Sequence, residues 1–354
     1  MTTALATQTA FKEKTPEPHF GAELLDASGA ILQARIKDLQ LHLKGTPLER
    51  FIGQLYEELE ARGISLRPGC YLSDQWGCPS GVPVIGIPFY LADPKLTLIE
   101  DKLGSGAETE REIMMYLRHE AGHAFNYAYK LYETEEWRKL FGDYGKPYLE
   151  TYKPRPFSRK YVLHISGWYA QKHPDEDFAE TFAVFLTPNS RWAERYKGWG
   201  ALAKLQYVEG LVAKIGRTSA PVTLDERDVD VGEMEETVLD HYRQRQLAEK
   251  IDLQIGDALD QDLIALFEGP GLAEVRADTL IRAQRHELIA AVTQYSGVSR
   301  AVVVSVLEHL SDRTTRLDLT VKRDKAHEYT TRLTSLVTAL AMNYLYTDRF
   351  FDTD

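Results

Sequence analysis

In the stretch IMMYLRHEAGHAFNYAYK, residues 113–130, His119, Glu120 and His123 spell H-E-x-x-H. Residues four apart on a helix stand one above the other on the same face, so a single cation can bridge the two imidazoles. Glu120 is rotated by about 100° from His119, within reach of a water on the same metal. Two neutral nitrogen donors, an open coordination position and a general base are the minimum apparatus of a zinc hydrolase. A catalytic zinc takes a third protein ligand. The candidate segment is HPDEDFAETFAVFLTP, residues 173–188, where Glu176 and Glu180 stand four apart on a face otherwise made of Ala179 and Ala183. The helix macrodipole alone would favour Asp175, Glu176 and Asp177 in a first turn. It does not account for Glu180, a second turn in. His173 is a competing nitrogen donor, but its place just before Pro174 marks it as a helix-entry residue.

These side chains need two helices to hold them. Thr109 and Glu112 form a T-x-x-E capping box that starts the first. Ile113, Leu117, Ala121, Ala124, Ala128 and Leu131 recur at three- and four-residue steps beside the histidine face. Gly122 costs such a helix about 1 kcal/mol relative to alanine, which makes sense where backbone must approach something closely. In the second helix, Pro174 suits the first turn and Phe178, Phe182 and Phe185 make the buried stripe. Upstream, the pattern predicts a helix from Leu24 to Leu43 and another from Pro47 to Ala61 that stops at Gly63. Strands are expected at Ile64–Leu72, Val82–Tyr90 and Leu96–Ile99, forming a small sheet whose edge could pair with an extended peptide. Glu133 to Phe141 reads as a short helix. Residues 142–170 form a long loop whose many aromatics argue against disorder.

HEAGH followed by E-x-x-x-E on a downstream helix resembles the gluzincin branch of zinc metallopeptidases. HPDEDFAETFA is similar to the downstream helix of the bacterial families called putative zinc-binding metallopeptidases. The spacing from Tyr169 to Glu176 also resembles the protease domain of anthrax lethal factor. The resemblance covers roughly residues 60–215. It implies an α+β, zincin-like fold and one Zn2+ per chain held by His119, His123 and Glu176. It also implies Glu120 as general base, Glu180 as the carboxylate buttressing a liganding histidine, and Tyr169 as donor to the oxyanion. Tyr161, His164 and Trp168 lie in the same segment and compete with Tyr169. The activity implied is peptide-bond hydrolysis by a zinc-activated water. Two other readings stay open: a metal-binding but inactive scaffold acting through protein contacts, and a zinc hydrolase of a non-peptide amide.

The whole chain sets the context. At 354 residues it exceeds one typical domain. We expect an N-terminal mobile arm over residues 1–20, a metallopeptidase domain over 21–218 and a helical C-terminal domain over 219–354. The last is expected to contain helices at 233–250, 257–268, 272–296, 299–310 and 324–347, with one strand at 316–323. It offers packing surface for a partner protein or for self-association. Its histidines, His241, His286, His309 and His327, are scattered singles. The net charge of −11 argues against nonspecific nucleic-acid binding and against anionic membranes. The N-terminus lacks a basic region followed by an apolar one, and no apolar run approaches a membrane span, so a cytoplasmic location is expected. Cys70 and Cys78 are then expected to be reduced thiols.

Overall fold

The computed structural model describes residues 29–350 apart from 105, 150–151, 250, 252, 254 and 270–274. The N-terminal arm and residues 24–28 of the first expected helix lie outside them. The rest of that helix is broken. Residues 29–33 are helical, Arg35 forms a bridge with Thr237, and Ile36–Leu39 is a single tight turn ending at left-handed Gln40. The apolar periodicity of Ile31, Ile36 and Leu39 is satisfied by burial against the first core, not by continuous helix.

Helix α1 (Pro47–Ala61) has the predicted bounds. Proline occupies its first turn, Leu48, Phe51, Leu55 and Leu59 form the buried stripe, and Gly63 follows with φ +83°. Strands β1 (Gly69–Ser73) and β2 (Val84–Pro88) pair in parallel, Gly69 opposite Val84. The segment expected as a third strand, Leu96–Ile99, lies instead within helix α2 (Pro94–Leu103). Asp93 caps it, accepting from the Lys95 amide, and Pro94 supplies the preset φ of a first helical turn. These local signals outweigh a four-residue stretch with three apolar side chains.

Helix α3 (Glu110–Ala128) carries H-E-x-x-H and opens on the predicted box: Thr109 accepts from the Glu112 amide while the Glu112 side chain accepts from the Thr109 amide. Helix α4 (Glu135–Phe141) follows, and among the described residues of 142–168 there is no helix or strand. Helix α5 (Pro174–Leu186) is buried along its whole length. Helix α6 (Ala201–Ile215) covers its outer side. Phe125 of α3 stacks on Phe182 of α5 at 5.1 Å. Each fully buried phenylalanine of this kind contributes roughly 1.5–3 kcal/mol. The Arg118 guanidinium of α3 makes two 2.7 Å bonds to Glu58 of α1, fixing the helix from its other flank.

Beyond α6, the α-helices and strands among the described residues are α7 (Val238–Glu249), α8 (Asp260–Leu266), β3 (Val275–Arg276), α9 (Ala277–Ala283), α10 (Arg285–Ser296), α11 (Arg300–Arg316), β4 (Thr320–Val321) and α12 (Ala326–Thr347). The single helix expected over 272–296 is two, broken at Gln284, with residues 272–274 outside the described set. The strand expected over 316–323 shrinks to β4, because α11 runs on to Arg316. The molecule is α+β and dominated by helix. Buried apolar residues form two main clusters, one from Leu32 to Tyr242 and one from Ile255 to Phe350. The buried residues of α7 belong to the first. Among the described residues no helix is long and apolar enough to cross a membrane.

Candidate metal centre

The centre forms where α3 crosses α5. A Cβ on Gly122 would lie 2.8 Å from the Ala179 Cα and 2.9 Å from its carbonyl oxygen, so only glycine lets the two helix backbones approach this closely. That approach brings His119, His123 and Glu176, all buried, within reach of one another. Glu176 Oε2 lies 2.9 Å from His119 Nε2 and 3.3 Å from His123 Nε2, and the two nitrogens are 3.1 Å apart.

This triangle fits a zinc ion. The circle through its corners has a radius of about 1.8 Å, so a point about 2.0–2.1 Å from all three atoms exists roughly 1 Å off their plane. The chemistry fits as well. With neutral imidazoles, three lone pairs of buried side chains face each other, an arrangement that a cation between them would satisfy. Without one, protons take that place. Burial opposes a charge on His119, but its bonds to Glu176 and Glu180 raise its pKa to about 9. His123 is raised well above its usual value against the same burial, chiefly by the charges of Asp175 and Glu176. Glu176, despite burial, is held well below the carboxylate range by the two imidazoles.

Each histidine has a carboxylate behind it. Glu180 Oε1 lies 2.9 Å from His119 Nδ1, and its other oxygen accepts from the Ile165 amide. Asp175 Oδ2 lies 3.1 Å from His123 Nδ1, which is not aligned for an in-line hydrogen bond. Asp175 is itself held by Tyr127, whose hydroxyl donates at 2.5 Å, and by the Asn126 amide at 2.7 Å. The macrodipole explanation of the first-turn acids was therefore incomplete: Asp175 braces a histidine, and Asp177 forms a buried 2.5 Å ion pair with Lys204 of α6. His173 is the N-cap of α5. Its Nδ1 accepts from the Asp175 amide and its Nε2 faces the Lys146 carbonyl at 3.0 Å, so it is turned to the backbone.

The donors open on a cavity of about 410 Å³ lined also by Glu120, Tyr148 and Tyr169, with Trp76–Cys78 opposite. Burial raises the pKa of Glu120, opposed by the charges of the two histidines. The Tyr169 ring lies 5.6 Å from the His119 ring, and its hydroxyl is 3.5 Å from Glu176 Oε1. Tyr148 is closer: its hydroxyl donates to the same oxygen at 2.5 Å and lies 3.4 Å from the Tyr169 hydroxyl. The sequence alone did not single it out, since nothing in its local pattern separates it from the other aromatics of the loop. The competing residues lie elsewhere. Tyr161 sits under the Lys204 ammonium, His164 Nε2 faces the Met115 carbonyl at 3.0 Å, and Trp168 is buried. Cys70 and Cys78 are free thiols; Cys78 borders the cavity, and its thiol donates to the Val82 carbonyl at 3.2 Å.

Residues 99–195 match the family model described as "Putative zinc-binding metallo-peptidase". The matched segment contains both helices and every side chain of the donor set. No curated protein and no solved structure matches the chain. The family likeness therefore rests on the same stretch that builds the centre.

Proposed function

We propose that this chain is a zinc-dependent metallopeptidase of zincin-like, gluzincin type, with His119, His123 and Glu176 as ligands and Glu120 as general base. The observation that carries the reading is the convergence of three donor atoms, 2.9–3.3 Å apart, in a cavity wall that also presents Glu120. A zinc ion bound there supplies a Lewis acid that acidifies water toward a pKa of about 7 and polarises a carbonyl. Glu120, pushed up in pKa by burial, takes the proton of the attacking water and passes it to the leaving amine. Glu180 holds His119 in the tautomer whose Nε2 is free to ligate, and Asp175 orients His123.

Tyr169 is the donor to the developing oxyanion. Burial raises its hydroxyl pKa, so it stays protonated and able to donate. Tyr148 holds the second oxygen of Glu176, leaving Oε2 for the ion. The likeness to anthrax lethal factor rests on the Tyr169 to Glu176 spacing alone. A peptide substrate is supported by the far wall. There Gly77, whose N–H and C=O both pair with Gly86 of β2, borders the cavity, and an extended peptide could lie beside this short edge. The two buried clusters support a division into a metallopeptidase domain and a helical domain, with α7 packed on the former.

The test is zinc stoichiometry combined with cleavage of a mixed peptide library by the wild type and by Glu120→Gln. One zinc per chain in both proteins, with cleavage lost by several orders of magnitude in the variant, is expected. Zinc without any wild-type cleavage would instead support a scaffold, and equal cleavage by both proteins would exclude Glu120 as the base.

A further inference from the structure

The helical C-terminal region grips the loop that carries Tyr169. Gly297, the left-handed residue ending α10 at φ +77°, packs so closely that a Cβ there would lie 2.5 Å from Pro154 Cγ and 3.2 Å from Trp168 Cδ1. Trp168 is buried, and it is one of the few non-glycine residues with positive φ, 59°. Such a conformation persists only where the surroundings over-determine it. Here the surroundings are Gly297 and Pro154 on one side and the Phe157 ring at 5.4 Å on another. The next residue is Tyr169, which begins a tight turn closed by the Gln171 amide on the Trp168 carbonyl and the Lys172 amide on the Tyr169 carbonyl. Gly167, just before Trp168, is held by the Tyr152 hydroxyl at 2.8 Å. A second tie joins Lys153 to Asp348 at the end of α12, 2.8 Å apart.

We propose that the C-terminal helical region is a working part of the catalytic centre. Its Gly297 corner seats Trp168, and Trp168 acts as a positioning residue that fixes Tyr169 over the metal site. His119, His123 and Glu176 themselves stand on α3 and α5, outside the loop, so the seat positions Tyr169 more directly than it positions the metal ligands. A protein that bound and shifted the helical region would therefore change turnover without removing zinc. The catalytic half of this inference rests on the reading of Tyr169 as oxyanion donor; the seating half does not.

The experiment compares amide hydrogen exchange in full-length Gly297→Ala with that in Gly256→Ala. Gly256 has the same kind of backbone, φ +55°, but among the described residues no atom beyond its chain neighbours lies within 4 Å of its missing Cβ, so it reports backbone strain alone. Gly297→Ala should raise exchange at Gln171 and Lys172 by about tenfold or more over that control. Exchange in α3 and zinc stoichiometry should stay at wild-type levels. Adding Pro154→Ala, which removes the clashing Cγ, should restore protection. On the mixed peptide library kcat should fall with KM unchanged, as in Tyr169→Phe. Exchange equal to the Gly256→Ala control would overturn the proposal. If Gly297→Ala fails to fold, Trp168→Leu loosens the same seat from the other side, and unchanged protection at Gln171 and Lys172 would overturn it equally. Raised exchange together with full activity of Tyr169→Phe would support the seat and overturn the reading of Tyr169.

Discussion

Gly122→Ala measures how much of the metal centre depends on two helix backbones touching. In an exposed helix the change is stabilising by about 1 kcal/mol, because alanine has less backbone freedom to lose. Here the new methyl would sit 2.8 Å from Ala179 Cα, 2.9 Å from the Ala179 carbonyl oxygen and 3.1 Å from Phe182 Cβ. Carbon atoms at rest stand about 3.5–4.0 Å apart, so α5 must move by roughly 0.7 Å. Two of the three obstructing atoms are backbone, and a rotamer change cannot relieve them. Overpacking of this kind costs about 1–3 kcal/mol. The propensity gain offsets part of it, leaving metal-free Gly122→Ala less stable by about 0–2 kcal/mol. Zinc affinity should suffer more. Glu176 rides on α5 one turn before Ala179, and ligand distances tolerate only about 0.2 Å. A fall of about 10–100-fold is expected, similar to the loss of a partner behind a ligand. Urea unfolding of the metal-free protein and competition with a chromophoric chelator give the two numbers. Gly210→Ala is the control: Gly210 lies within α6 with no atom within 4 Å of its missing Cβ, and the change should stabilise by about 0.5–1 kcal/mol. If Gly122→Ala matched this control in stability and kept wild-type zinc affinity within twofold, the close-approach argument would be wrong.

Two further variants probe partners that lie across the helix crossing. Asp175→Asn should lower zinc affinity by about 10–100-fold and speed metal release while the fold stays intact, since it weakens the brace on His123; wild-type affinity by chelator competition would remove Asp175 from the centre. Lys204→Met strands the buried Asp177 carboxylate and should cost about 3–5 kcal/mol in denaturant unfolding. The double variant with Asp177→Leu should recover most of that loss, and no recovery would mean the pair acts through something other than its charges.

What could be read directly from the sequence was what one helix states by itself. The Thr109–Glu112 box, the histidine pair, the proline starts of α1 and α5 and the backbone-approach reason for Gly122 are all local relations at three- and four-residue steps. Glu180 was legible for the same reason, as an acid that the first-turn macrodipole could not explain. Leu96–Ile99 is helix where a strand is expected because a four-residue stretch carries no period long enough to separate the two, whereas the Asp93–Pro94 start does carry the signal. The break at Arg35 was hidden because its bridge partner, Thr237, lies some two hundred residues away.

The residues that were missed share one property: each acts through a partner on another element. Asp175 looked like an ordinary first-turn acid, and only the crossing with α3 gives it Tyr127, Asn126 and His123. Tyr148 was one tyrosine among many until the loop returned it to Glu176. Asp177 needed Lys204 on α6. The ligand set could be read because a metal requires a fixed donor chemistry, and that requirement constrains residue type and spacing along the chain. The bracing set has no such constraint, since any buried carboxylate or phenol in the right place will serve. A chain that kept H-E-x-x-H and Glu176 while losing Asp175, Gly122 or Tyr148 would still carry the sequence signature and should bind zinc less well.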